Sequence, residues 1–87
     1  MPNEAKIIVY YKKYCPFCDR AKSLLNSKGV KYEVKDIASS NLTLKEFAID
    51  AKGARTVPQI LINGNLIGGF DDLSALDKDG KLDALLK

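Results

Sequence analysis

The chain has 87 residues, 46% of them apolar, with 14 lysines and arginines against 11 acidic residues and no histidine. That length suits one domain, 1–87, around a single core, and the net charge of +3 is too small and too scattered for a nucleic-acid face. No apolar run approaches the length of a membrane span, and the polar stretch Met1 to Lys6 does not read as a secretory leader, so a reducing, cytoplasmic setting is expected.

Lys6 to Tyr11 carries the β-rich run Ile7-Ile8-Val9 and is predicted as a first, buried strand. It runs into Lys12-Lys13-Tyr14-Cys15-Pro16-Phe17-Cys18, which holds both cysteines of the chain. Phe17, Ala21, Leu24 and Leu25 then fall at helical spacing, so a helix is predicted from Pro16 to Lys28, with Gly29 as its left-handed stop. Pro16 suits the first helical position, where its missing N–H leaves nothing unpaired. Cys15 therefore falls at or next to the N-cap. Unpaired N–H groups and the positive end of the helix dipole favour thiolate over thiol there, and Lys12 and Lys13 add positive charge. Cys18 lies one turn on, on the same side, and should be the more enclosed and less acidic partner.

Near a βαβ pattern, this C-x-x-C spacing reads as a thiol–disulfide redox pair. A closed zinc site would need four ligands where the chain offers two cysteines and no histidine, so no metal is expected. A bridge across two intervening residues closes almost no loop, which makes its role chemical rather than structural. Two inert, buried cysteines are the bland alternative, and Pro16 between them at a strand-to-helix junction argues against it.

Lys31 to Ile37 alternates, with Tyr32 and Val34 on one face and Lys31, Glu33 and Lys35 on the other, as on an edge strand. The second helix starts at Asn41-Leu42-Thr43 and runs to about Lys52, with Gly53 as terminator. Thr43 and Glu46 have capping-box spacing, Leu42 and Phe47 could form a hydrophobic staple, and Leu44, Phe47, Ala48 and Ala51 form the inward face. Gln59-Ile60-Leu61-Ile62 reads as a central strand covered on both faces. Asn63-Gly64 is a hairpin signal, and Asn65 to Ile67 returns antiparallel. Gly68-Gly69 breaks that strand. Phe70-Asp71-Asp72-Leu73 opens a last helical region with an aspartate as cap, interrupted at Gly80, and Leu82, Leu85 and Leu86 close the core. The order β-α-β-α-β-β-α predicts an α/β three-layer sandwich (α/β/α) around a four-stranded mixed sheet.

That order resembles the thioredoxin fold, and three motifs make it specifically similar to the glutaredoxins. They are Cys15-Pro16-Phe17-Cys18, Thr56-Val57-Pro58 and Gly68-Gly69-Phe70-Asp71-Asp72. With Gln59-Ile60 and Ala75-Leu76-Asp77, the chain looks most like the small bacterial dithiol members of the kind termed glutaredoxin three. The resemblance implies that Cys15 is the nucleophile, Cys18 the resolving cysteine, and the Val57–Pro58 bond cis. It implies a glutathione site made by Lys12, Phe17, Arg55, Thr56, Val57, Pro58, Asp71 and Asp72. Val57 would meet the cysteinyl part, Asp71 and Asp72 the γ-glutamyl end, and Lys12, with Arg55 second, the glycine carboxylate. Phe17 stands where tyrosine is common, and Phe70 where some relatives carry a third cysteine.

The expected activity is glutathione-dependent reduction of protein disulfides and glutathione mixed disulfides. Glutathione serves as co-substrate, no cofactor is tightly bound, and the poise is roughly −200 to −230 mV. Expected partners are glutathione and disulfide-containing or glutathionylated proteins, ribonucleotide reductase being a family-level substrate; nucleic acid and membrane are not, and the chain is expected to be a monomer. Two other readings use the same residues. One is an iron–sulfur cluster shared by two protomers through Cys15 and glutathione, against which Pro16 argues. The other is a thioredoxin-like role with a flavoprotein reductant, which would leave Lys12, Asp71 and Asp72 without a purpose.

Overall fold

The computed structural model describes residues 5–86. Its elements are β1 (Ile7–Tyr11), α1 (Pro16–Ser27), β2 (Glu33–Asp36), α2 (Asn41–Asp50), β3 (Gln59–Ile62), β4 (Asn65–Gly68), α3 (Phe70–Lys78) and α4 (Leu82–Leu85). The sheet order is β2-β1-β3-β4. The crossover through α1 makes β1 and β2 parallel, and the remaining pairs, β1 with β3 and β3 with β4, are antiparallel. The hairpin between β3 and β4 turns on Asn63 and Gly64, at φ of 53° and 82°, the signs a two-residue turn needs. Asn63 also closes the neighbouring strand end, its side-chain oxygen accepting the Lys6 N–H at 2.9 Å.

The two interior strands divide their side chains between two cores, as period-two geometry requires. Ile7, Val9, Ile60 and Ile62 pack with Ala21 and Leu25 of α1, Leu73 of α3 and Leu82 of α4. Tyr10 and Leu61 point the other way, onto Phe47 of α2 and Ala51 just beyond it. All four residues of β3 are buried, in keeping with its central position. Tyr10 meets the Phe47 ring edge-on at a centroid distance of 5.5 Å and donates its hydroxyl to Asp50 at 2.6 Å. Burial and that carboxylate both push the Tyr10 phenol well above its ordinary range.

Several local expectations are corrected. Ser40, not Thr43, caps α2: its side-chain oxygen accepts the Thr43 N–H at 3.1 Å. Glu46 is then drawn away from the helix start and pairs with Lys35 at 2.8 Å, tying α2 to the edge strand β2. The staple does not form, because Leu42 is 68% exposed. Leu44 and Ala48 also face solvent, so the apolar contact of α2 with the sheet runs through Phe47, with Ala51 just beyond the helix. On β2 the roles of two faces are partly exchanged, with Val34 exposed and Lys35 half-buried. Leu85 is exposed while Leu82 and Leu86 are buried, since a four-residue helix turns only part of its surface inward.

Ser40→Ala is expected to cost about 1 kcal/mol of stability, and Thr43→Ala less, because the helix loses its cap only in the first variant. Denaturant midpoints of the two variants check this.

Candidate active site

The end of β1 delivers the chain to Cys15, which has extended backbone angles (φ −108°, ψ 105°) and caps α1. Its sulfur accepts the N–H of Cys18 at 3.2 Å. One of the unpaired donors of the helix start is thereby aimed at the sulfur, a contact that strengthens when the sulfur is anionic. The residue before it, Tyr14, turns the chain at φ 61°. Cys15 is partly open to solvent, whereas Cys18 is 1% exposed, and both are free thiols. Burial, followed by the neighbouring Cys15 sulfur, pushes the Cys18 thiol up to about 12, against a smaller pull from the Lys12 backbone and Lys22. At neutral pH Cys18 is thus a thiol, held beneath a more accessible sulfur.

Across from Cys15, the Val57–Pro58 bond is cis and the Val57 carbonyl lies 3.7 Å from the Cys15 sulfur. From here a cleft of about 270 Å³ extends along the ends of β3 and β4 to the start of α3. It is lined by Phe17, Thr56, Val57, Pro58, Gln59, Gly68, Gly69, Phe70, Asp71 and Asp72. Six of the eight residues expected to hold glutathione therefore converge on one cleft. The other two do not line it. Lys12 borders a separate hollow with Lys13, Tyr14, Asp36, Ala38 and Ser39, and Arg55 is exposed outside the cleft lining.

The cap of α3 is also a correction. Gly69 occupies the N-cap, and Asp72, at the third helical position, reaches back so that its carboxylate accepts the Gly69 N–H at 3.1 Å. Both carboxylates are exposed at the cleft, but Asp72 is committed to the cap, which leaves Asp71 without that structural duty. Gly68 permits the arrangement. Its φ is +118°, and a Cβ there would collide with the Asp72 carboxylate.

Two contributors were not among the site residues expected from the sequence. Gln59 is buried, and its amide donates to the Thr56 carbonyl at 3.0 Å and the Thr56 hydroxyl at 3.3 Å, fixing the turn that carries Val57 and Pro58. A lone amide heading an aliphatic strand was the available signal. Phe70 pairs with Phe17 at a centroid distance of 6.4 Å, and the Arg20 guanidinium lies 5.1 Å from the Phe17 ring centre. The aromatic wall of the cleft is therefore shared by two helices.

The sequence pattern of the glutaredoxin family matches residues 7–67. The chain belongs to the glutaredoxin family. It is 49% identical over 83 residues to Glutaredoxin 3 of Escherichia coli strain K12, covering 95% of this chain and 99% of that protein. Among solved structures it is similar to a buckwheat glutaredoxin–glutathione complex, with a TM-score of 0.82, 31% identity, and coverage of 97% of this chain and 78% of the other. A dithiolic glutaredoxin from Trypanosoma brucei brucei is 40% identical, with a TM-score of 0.81 and coverage of 98% and 90%. This glutaredoxin is a thiol–disulfide oxidoreductase with the thioredoxin-like fold expected from its sequence.

Proposed function

We propose that this glutaredoxin uses glutathione to reduce mixed disulfides and protein disulfides, with Cys15 as nucleophile and Cys18 as resolving thiol. The observation that carries the reading is the asymmetry of the pair. Cys15 is accessible and receives a backbone N–H, while Cys18 is buried and keeps its proton. On a glutathionylated substrate, the Cys15 thiolate attacks the glutathione sulfur. The S–S bond to the substrate breaks, the substrate leaves as a thiolate and is protonated by solvent, and glutathione remains on Cys15. A second glutathione attacks that disulfide, giving oxidised glutathione and free Cys15. On a protein disulfide, Cys15 forms a mixed disulfide, Cys18 displaces the product, and two glutathiones restore the dithiol.

The cleft supports glutathione as the co-substrate. The Val57 backbone offers an extended edge beside Cys15, the α3 start offers N–H groups to a carboxylate, and Asp71 offers an acceptor to an ammonium. The buckwheat relative is described as a glutathione complex. Lys12, and Arg55 after it, remain candidates for the glycine carboxylate from outside the cleft lining. Asp71→Asn is expected to raise the KM for a glutathionylated substrate about tenfold with little change in kcat, the loss of one charge-assisted hydrogen bond. Steady-state kinetics against a glutathionylated peptide test this. An unchanged KM would remove Asp71 from the site.

The chain is proposed to act as one domain, 1–87, as a monomer, with disulfide-containing or glutathionylated proteins as substrates and ribonucleotide reductase among the family-level candidates. Among the described residues, no helix is long and apolar enough to cross a membrane. A reducing, cytoplasmic setting suits a cysteine pair used for chemistry.

A further inference from the structure

The resolving step poses a difficulty of its own. Cys18 must lose its proton before it can attack, yet it is buried and holds that proton tightly. It follows Cys15 by one turn of α1, and Lys22 follows Cys18 by four residues, on the same helical face. The Lys22 ammonium lies 3.9 Å from the centre of the Tyr11 ring, at the end of β1. That contact holds the flexible lysine stem against the end of β1, next to the Lys12 backbone, instead of leaving it free in water. The groups acting on the Cys18 sulfur are the Cys15 sulfur above it, the Lys12 backbone in the segment after β1, and Lys22 on its own helix. Lys22 is the cationic side chain among them.

We propose that Lys22, held over the Tyr11 ring, is a positioning residue for the resolving step, its ammonium stabilising the Cys18 thiolate that attacks the mixed disulfide. The proposal rests on the dithiol reading above. In the step itself, the Cys18 proton passes to solvent and the Cys18 sulfur bonds to the Cys15 sulfur. The Cys15–substrate bond breaks, and the substrate departs as a thiolate. Charge therefore appears on a buried sulfur and leaves on an exposed one, and a cation held on the same helical face lowers the barrier. Attack by Cys15 needs no such help, because that sulfur is already open to solvent and capped by a backbone N–H.

The two attacks are separable in one experiment with 5,5′-dithiobis(2-nitrobenzoate). Reduced protein and one equivalent of reagent release a first thionitrobenzoate when Cys15 attacks and a second when Cys18 resolves. Lys22→Met, which keeps the apolar stem on Tyr11, is expected to slow the second phase about tenfold at neutral pH and to move its rate–pH profile to higher pH. Lys22→Arg should restore most of the rate, and the first phase should keep its rate in both variants. An unaltered second phase and pH profile in Lys22→Met overturns the proposal, as does an equal slowing of both phases. Cys15→Ser separates this failure from failure of the dithiol reading. It should lose the fast first phase, and a fast first release kept by that variant would overturn the dithiol reading and the Lys22 role together.

Discussion

Replacing Cys15 with serine is expected to lower glutathione-dependent turnover by at least about a thousandfold, for glutathionylated and protein-disulfide substrates alike. A hydroxyl in the same cap position still receives the Cys18 N–H, so the helix start is preserved while the nucleophile is lost. Cys18→Ser should behave differently. Glutathione can clear Cys15 from outside, so removal of glutathione from small substrates continues. Reduction of protein disulfides stalls with the substrate attached to Cys15. The contrast comes from placement, since the two sulfurs share one helical turn and differ in access. Turnover assays on both variants, with mass spectrometry of the stalled adduct, provide the check. A Cys15→Ser protein with substantial activity would contradict the assignment.

The second large effect is expected at a glycine. Gly68→Ala places a Cβ on a residue at φ +118° and against the Asp72 carboxylate that caps α3. Either the backbone or the cap must move. A loss of about 1–3 kcal/mol follows, which for a domain of this size lowers the melting temperature by roughly 4–8 °C for each kcal/mol. The start of α3 forms the far wall of the cleft, so KM for glutathionylated substrates should rise as well. Gly69→Ala is the control for stability. Its φ is −86°, and an added Cβ would meet only the Pro58 carbonyl oxygen at 3.5 Å, an ordinary contact. Thermal melts of the two variants should therefore differ, with Gly68→Ala the less stable. Equal melting temperatures would mean that the cap is not constrained as described.

Much of this architecture was legible because its determinants are local. Pro16 after Cys15 marks a helix start within two residues, and Asn63-Gly64 marks a hairpin in the same way. The aliphatic run of β3 announced a strand buried on both faces, and it is one. Local signals failed where two neighbours competed for one job. Ser40 and Thr43 both suit a helix cap, and the structure uses the earlier one. Asp71 and Asp72 both suit the α3 start, but the cap residue is Gly69 and Asp72 serves it from inside the helix. Glu46 fitted a local pattern yet is claimed by Lys35, a residue on another element.

The site divides along the same line. The cysteine pair could be read from one heptapeptide. The cleft could be anticipated only through the resemblance, because Thr56, Phe17 and Asp71 are far apart in sequence and meet through the sheet. Gln59 and Phe70 act through contacts with Thr56 and Phe17 that no spacing rule reveals. Lys12 shows the opposite limit, since proximity to Cys15 in sequence did not bring its side chain into the cleft lining.

On the proposed mechanism the sulfur that caps α1 is the reactive one, and its partner is sheltered behind it. Brief alkylation of the fully reduced protein with limiting iodoacetamide at pH 7, followed by peptide mapping, tests it most directly. The label is expected on Cys15, faster than on an unstructured thiol and slowed by a glutathione analogue that fills the cleft, with Cys18 spared. Equal labelling of the two cysteines, or preferential labelling of Cys18, would contradict the account.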